Sequence, residues 1–152
     1  MGTTILDILG ERQQNCSVEA GLPLRQVLEI MRERDLGAVA VIRGERVVGV
    51  FAGRDLIRRV VLDGLDLSSC RVEEMMTSPP YWISTDERYE VAKAIMVDHD
   101  LRQLVVLDPQ HKFRGFVTSR QLLEADLVES RELVGKLNDS YYAPKFHPEY
   151  VR

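Results

Sequence analysis

Apolar residues recur along the chain with two different spacings, and each spacing predicts one kind of element. After Gly21-Leu22-Pro23, apolar side chains return every three or four residues, which predicts an amphipathic helix. Two short apolar runs follow, 38–42 and 47–51, and the polar turn between them predicts a β-hairpin. A second helix begins near Gly53. With Cys16-Ser17-Val18 as a short opening strand, the predicted order is strand, helix, strand, strand, helix.

The same order of elements is predicted a second time. Residues 81–83 form the opening strand, and Ser84 to Glu87 resembles a capping box for a helix expected from Asp86 to Asp98. A hairpin spans residues 104–117, and a closing helix starts at about Ser119 and continues to about Leu137. The second half of the chain therefore repeats the pattern of the first.

The two halves also align residue by residue. Residues 27–42 match 92–107 at a constant offset of 65, and residues 47–56 match 113–122 at an offset of 66, so one residue is inserted in the second turn. The pairs Met31/Met96, Asp35/Asp100, Leu36/Leu101, Gly49/Gly115, Arg54/Arg120 and Leu56/Leu122 are identical. Two copies of one unit imply approximate two-fold symmetry, with a shared cleft as the natural ligand site.

Length, charge and cysteine content limit the classes of protein to which this chain can belong. The 152 residues fit one domain, and the net charge of −4 argues against a nucleic-acid partner. Cys16 and Cys70 are too far apart in sequence to suggest a disulfide framework or a zinc site, so we expect reduced thiols in a cytoplasmic protein. The sequence shows neither a signal peptide nor a membrane span, and we expect no membrane partner.

Residues that suggest catalysis or metal binding are not grouped in this sequence. His99, His111 and His147 lack the companion spacing of a metal site or a catalytic triad, and no paired carboxylates or activated cysteine stand out. We therefore expect no catalytic residue, no metal and no enzymatic activity.

The repeated pattern resembles the paired cystathionine-β-synthase (CBS) domain, or Bateman module, of the short stand-alone bacterial type. The resemblance rests on Met-x-x-x-x-Leu at the helix ends, the hairpin, and a glycine followed by a strand that ends in Thr/Ser-x-x-Asp, all present twice in modified form. It implies an α/β fold in which two β-α-β-β-α repeats form one module. Repeat one would span about 10–62, the linker 63–78 and repeat two about 79–127, within a pair covering 1–127; residues 128–152 would form a helical extension and tail.

The strand-to-helix junction of each repeat suits a nucleotide. Unpaired N–H groups at a helix start attract phosphate, and Gly53 leaves the backbone accessible. Arg54 and Arg120 carry charges suited to phosphate, Asp55 can accept hydrogen bonds from ribose hydroxyls, and the Thr118 hydroxyl can donate to phosphate. The alternatives are structural: solvated arginines, an aspartate that complements its helix dipole, and a threonine that only caps its helix.

Each junction keeps half of the family pattern. Ala52 stands where the family has Thr or Ser before Asp55, and Gln121 stands where it has Asp after Thr118. The resemblance also implies that each cleft uses the stretch before the opening strand of the opposite repeat. The predicted first site is Gly53, Arg54, Asp55, Thr77, Ser78 and Pro79, and the predicted second site is Thr118, Ser119, Arg120, Gln121, Asn15 and Cys16.

The resemblance implies a regulatory homodimer that senses AMP, ADP, ATP or a related adenosyl ligand and signals to a partner by conformational change. The alternative is a ligand-free dimeric interaction module whose clefts have decayed. No obligatory cofactor is expected. Tyr141, Tyr142, Phe146 and Tyr150 concentrate aromatic side chains near the end of the chain, which is unusual for a disordered tail. We expect the tail to dock on its own domain, a second subunit or a partner protein.

Overall fold

The computed structural model describes residues 2–11 and 14–138, and the side chains within these ranges apart from 132–134 and 136–138. The predicted docking of the aromatic tail lies outside the described residues. In chain order the elements are α1 (Ile5–Leu9), β1 (Ser17–Glu19), α2 (Leu24–Arg34), β2 (Ala38–Arg43), β3 (Arg46–Ala52), α3 (Gly53–Asp55) continued by a π-helix (Leu56–Val61), α4 (Val72–Met75), β4 (Trp82–Ser84), α5 (Tyr89–His99), β5 (Gln103–Leu107), β6 (Phe113–Thr118) and α6 (Ser119–Asn138).

The strands form two three-stranded sheets of the same design. The order is β1-β2-β3 in one sheet and β4-β5-β6 in the other. In each sheet the first pair is parallel and the second pair is an antiparallel hairpin. The register shifts at equivalent places, between Val41 and Ile42 and between Val106 and Leu107. The predicted mixed α/β architecture of two β-α-β-β-α repeats is confirmed.

The Met-x-x-x-x-Leu motif closes the first helix of each repeat. Asp35 and Asp100 adopt left-handed conformations, with φ of 54° and 53°. The next residue, Leu36 or Leu101, donates its N–H to the carbonyl of Met31 or Met96 at 2.8 and 2.9 Å. This is a Schellman-type C-cap, in which an apolar residue beyond the helix folds back onto its last turn.

Helix α5 begins at Tyr89, so the predicted start at Asp86 is wrong. The Ser84 hydroxyl accepts the N–H of Asp86 at 3.2 Å, but this bond closes a turn ahead of the helix. Helix α1 holds that turn, because Ile5 and Leu6 donate their N–H groups to the carbonyls of Glu87 and Thr85. In the predicted helix, the carbonyls of Thr85 and Glu87 would accept N–H groups of its own next turn. They accept N–H groups of α1 instead, and the helix begins later.

Each repeat has its own hydrophobic core, and α1 belongs to the second. Ile5 is fully buried beside Ile83, Tyr89 and Leu104. A separate cluster lies between the two sheets and joins the repeats. Its buried members are Cys16, Ala40, Val105, Leu107 and Phe116.

Helix α6 is fixed to α5 by one polar cluster. The hydroxyl of the buried Tyr89 lies 3.0 Å from Asp126 and 2.9 Å from Glu129, and Lys93 donates to Asp126 at 2.9 Å. Burial raises the pKa of Tyr89 well above its usual range, and the hydrogen bond from Lys93 lowers the pKa of Asp126. Within the described ranges, no helix carries an apolar stretch long enough to cross a lipid bilayer.

Candidate functional site

The junction between β3 and α3 is organised around the carboxylate of Asp55. One carboxylate oxygen accepts the N–H of Ala52 at 2.9 Å, which caps the helix. The other accepts the hydroxyl of Thr77 at 2.8 Å, and the Arg59 Nε lies 3.8 Å from that same oxygen. Asp55 is only 6% exposed. A buried carboxylate therefore joins the start of α3 to the linker between the repeats.

The linker reaches Asp55 because it pairs with β3 as a short extra strand. Thr77 and Val50 exchange both backbone hydrogen bonds, at 2.8 and 3.0 Å, and the Ser78 hydroxyl donates to the Val48 carbonyl at 2.7 Å. Gly49 makes this approach possible, since a Cβ there would lie 2.8 Å from the Thr77 carbonyl oxygen and would collide with Met76. The structure thus brings Thr77 and Ser78 to the strand that leads into the Asp55 cleft.

Two further residues of the predicted first site, Gly53 and Arg54, directly precede Asp55 at this junction. Gly53 is exposed, and a Cβ there would meet no other part of the protein within 4 Å, but its N–H already donates to the Gly37 carbonyl at 3.3 Å. The Arg54 side chain is 48% exposed, and its guanidinium lies 3.9 Å from Asp100, whose side chain is 99% exposed. Because such exposed pairs are weak, the Arg54 guanidinium is available to a ligand. Pro79 is exposed and faces a different groove, towards the hairpin turns.

The second junction is neutral and bonds to itself. Thr118 donates its N–H to the Gln121 side-chain oxygen at 2.9 Å, and Gln121 returns its N–H to the Thr118 hydroxyl at 3.2 Å. Ser119 donates its N–H to the Arg102 carbonyl. Arg120 is 88% exposed and pairs with Glu124 at 3.2 Å along the helix. This arrangement is a reciprocal capping box, the structural role that the sequence left open for Thr118.

Asn15 and Cys16, the other residues of the predicted second site, make contacts of their own. Asn15 accepts a hydrogen bond from Arg34 at 3.0 Å. Cys16 is 4% exposed in the core between the sheets, and burial raises its pKa to about 11, so it stays a thiol. Among the described residues, no hydrogen bond joins either side chain to Thr118 or Gln121.

Sequence reasoning missed Gln14 and Arg59. The Gln14 amide pairs with both backbone groups of Phe116, at 3.0 Å each, and so takes the place that the Thr77 backbone takes in the first repeat. No pattern in the sequence marks a side chain that imitates a strand. Arg59 donates to the Met76 carbonyl at 2.5 Å as well as lying near Asp55. Its spacing of four residues from Asp55 was a usable signal.

Comparison with known proteins places the chain in a family. A family model described as the CBS domain matches residues 12–62 and 72–128. The chain belongs to the CBS domain family. A protein with CBS domains from Burkholderia ambifaria superimposes with a TM-score of 0.76 and 27% identity, over 84% of this chain and 96% of that one. This CBS pair also matches a protein of Methanopyrus kandleri at 28% identity over 72% of the chain, and it spans 58% of that protein's length.

Two further solved structures of similar fold contain nucleotides. The cytosolic domain of the Mg²⁺ channel MgtE, in complex with ATP, matches the CBS pair with a TM-score of 0.62 and 26% identity, over 72% of this chain and 44% of that one. CBSX2 in complex with AMP matches with a TM-score of 0.70 over 86% of this chain and all of its own, and at 23% identity it shows the shared fold. Within the described residues, no cluster of three His, Cys, Asp or Glu side chains is placed to hold a metal ion.

Proposed function

We propose that this CBS pair is a regulatory module that binds an adenine nucleotide in the cleft at Asp55. The CBS domain family supports the proposal. So does the cytosolic domain of MgtE, which is 26% identical to this chain and was solved in complex with ATP. AMP, ADP and ATP share the adenosine that the cleft would hold. The regulatory role follows the general character of paired CBS domains, and the partner that receives the signal is not specified by this chain.

The observation that carries the proposal is the hydrogen bond from the Thr77 hydroxyl to Asp55, at 2.8 Å. It shows that a hydroxyl donor fits against this buried carboxylate. A carboxylate has about four lone-pair positions, and Ala52 and Thr77 occupy two of them. The two hydroxyls of a ribose can therefore bind at the remaining positions or replace Thr77. Hydrogen bonds to an ionised acceptor are about twice as strong as neutral ones, which favours this cleft over the one at Gln121.

The Arg54 guanidinium would neutralise the phosphate of a nucleotide bound at Asp55. Its only ion-pair partner in the described part of the chain is Asp100, at 3.9 Å, and the Asp100 side chain is fully exposed. Because exposed ion pairs contribute little free energy, a phosphate can replace Asp100 at little cost. The second cleft has the equivalent Arg120, but Thr118 and Gln121 already satisfy each other. We expect weaker binding there, since a ligand must first break the capping box.

Signalling would run through the linker. Thr77 connects Asp55 of the first repeat to the segment that leads into β4 of the second. A ribose that replaces the Thr77 hydroxyl removes one tie between the repeats and allows their relative position to change. The nucleotide regulates only to the extent that it binds the two arrangements with different affinity.

The test is thermal unfolding with AMP, ADP, ATP, NAD(H) and S-adenosylmethionine, on the natural chain and on Asp55→Asn. Asparagine keeps an oxygen for the Ala52 N–H but loses the charge, so the fold is retained while ribose binding weakens. A ligand at a hundred times its dissociation constant adds about 2.7 kcal/mol, a shift of several degrees. Asp7→Asn is the matched control, because Asp7 also accepts a capping N–H, from Thr4 at 2.9 Å, but lies outside the cleft.

A ligand-dependent shift that Asp55→Asn removes and Asp7→Asn keeps would support the proposal. If no compound shifts the transition at millimolar concentration, the nucleotide proposal is wrong, and the ligand-free interaction module becomes the better explanation.

A further inference from the structure

A second groove lies between the two hairpin turns, away from the Asp55 cleft. It has a volume of about 1050 Å³ and is bounded by residues 43–48 of the first repeat and by residues between Val105 and Lys112 of the second. Met76, Ser78, Pro79, Pro80 and Trp82 complete its wall. The groove opens at the Arg46 end of β3, whereas Asp55 follows the Ala52 end, about 20 Å further along the strand. Asp55, Arg54, Thr118 and Gln121 do not line it.

One end of the groove carries two arginines held side by side. Arg43 and Arg46 are direct partners across the last rung of the β2-β3 hairpin. Like charges in this position repel each other and destabilise a hairpin. Both side chains are exposed, and neither has a carboxylate within 4.0 Å in the part of the chain that the structure describes. An anion that contacts both guanidinium groups would relieve this repulsion.

The opposite side of the groove adds a third cation from a rigid turn. The Asp108 carboxylate accepts the N–H groups of Gln110 and Lys112, each at 2.9 Å, and the Asp108 N–H donates to the Lys112 carbonyl at 2.9 Å. His111 sits between them in a left-handed conformation, with φ of 63°. The turn therefore holds His111 and Lys112 in fixed positions facing the first hairpin. Glu45 is the one acidic residue among those that line the groove.

Part of the wall between these cations is apolar. Val47, Val105 and Leu107 line the groove, and Trp82 remains 45% exposed in its wall. The Trp82 ring meets the His111 ring edge to face, with 5.4 Å between their centroids. An exposed tryptophan beside aliphatic side chains provides a surface on which a flat ring can pack.

We propose that this groove is a second ligand site, which takes a small organic phosphate with a flat apolar body. The phosphate lies between Arg43 and Arg46, since guanidinium groups bind phosphate oxygens in pairs. The apolar body packs against the exposed ring of Trp82 and the partly exposed side chains of Val47 and Val48. The groove shares Ser78 and Pro79 with the predicted first site, but Gly53, Arg54, Asp55 and Thr77 do not line it.

Trp82 provides a local readout, because it is the single tryptophan of the chain. The experiment follows its indole N–H resonance by two-dimensional NMR during titration of the full chain with phenyl phosphate, inorganic phosphate and phenol. Phenyl phosphate should shift the resonance saturably. Inorganic phosphate and phenol should each bind at least about tenfold more weakly, because each lacks one half of the ligand.

Charge-reversed variants then test the arginines. Arg43→Glu combined with Arg46→Glu should weaken phenyl phosphate binding by about tenfold or more. The matched control is Arg32→Glu with Arg131→Glu, two exposed arginines outside the groove, and it should bind as the natural chain does. Asp55→Asn should also leave phenyl phosphate binding unchanged, which separates this site from the proposed nucleotide cleft.

Three results would overturn the proposal. The first is equal binding of phenyl phosphate, phosphate and phenol, or no response to any of them at millimolar concentration. The second is loss of binding in Asp55→Asn, which would place the probe in the other cleft. The third is an indole resonance that does not shift with phenyl phosphate but shifts when residues 139–152 are deleted. That result would indicate that the C-terminal tail occupies the groove.

Discussion

At the scale of single residues, equivalent positions of the two repeats have different chemistry. Asp55 and Gln121 both accept an N–H from the residue three positions earlier, and both begin a helix. Asp55 has a second oxygen that reaches the other repeat through Thr77, whereas the amide of Gln121 accepts only from Thr118 among the described hydrogen bonds. The carboxylate is therefore both a helix cap and a tie between repeats, and this double role makes the first cleft the stronger candidate.

The Thr77 hydroxyl should contribute measurably to stability. Thr77→Val keeps the branched side-chain shape but removes the hydroxyl that donates to Asp55. We expect the free energy of unfolding to fall by about 1–2 kcal/mol, which is near the lower end of the range for hydrogen bonds to charged acceptors. Urea denaturation measures the loss. Ser78→Ala is the control, because its hydroxyl donates to the neutral carbonyl of Val48, and it should cost less. Equal stability of Thr77→Val and the natural chain would contradict a tie through Asp55.

At the scale of elements, a glycine at the same place in each hairpin admits a crossing segment. Gly49 faces Val41 and Gly115 faces Val106, each beside the shift in register. In the first repeat the space is taken by the linker at Met76 and Thr77, and in the second by the Gln14 side chain. The repeat in the sequence therefore reflects a repeated packing problem: each β-hairpin must leave room for the segment that precedes a strand of the other repeat.

Adding a methyl group at either glycine should be costly. Gly49→Ala would collide with Met76 and crowd the Thr77 carbonyl, and Gly115→Ala would also force alanine into a φ of 132°. We expect each to lower the free energy of unfolding by about 1–3 kcal/mol, as overpacking does. Gly37→Ala is the matched control, because its Cβ would meet nothing within 4 Å and its φ lies outside the left-handed range. Thermal and urea unfolding of the three variants test this, and equal stability of all three would contradict it.

At the scale of the whole molecule, a small core and several hydrogen bonds join the repeats, while several helices leave apolar side chains exposed. The exposed set includes Ile57, Val61, Leu62, Val97, Leu123, Leu127 and Val128. Groups of large exposed apolar side chains often mark the surfaces through which proteins associate. The predicted homodimer would bury these helix faces, and the π-helix contributes Ile57 and Val61 to them.

The dimer prediction can be tested at the π-helix. We expect light scattering coupled to gel filtration to give twice the chain mass for the natural protein and a monomer for Val61→Glu combined with Leu62→Glu. Both side chains are more than half exposed, at 62% and 75%, so the substitution should leave the fold intact. Arg32→Glu adds a similar negative charge on another exposed surface and should remain dimeric. A natural chain of monomeric mass would refute the prediction.

The sequence by itself determined the repeat, the order of elements, the α/β class and the helix ends marked by Met-x-x-x-x-Leu. These depend on local periodicity and capping, which the chain encodes within a few residues. Tertiary structure decided that α5 starts at Tyr89, because α1 captures the carbonyls before it, and that the Gln14 amide takes the place of a strand on β6. It also decided that Asp55 meets Thr77 and that Cys16 is buried in the core between the sheets. Contacts between segments distant in sequence depend on how the two repeats pack, and no local pattern specifies that packing.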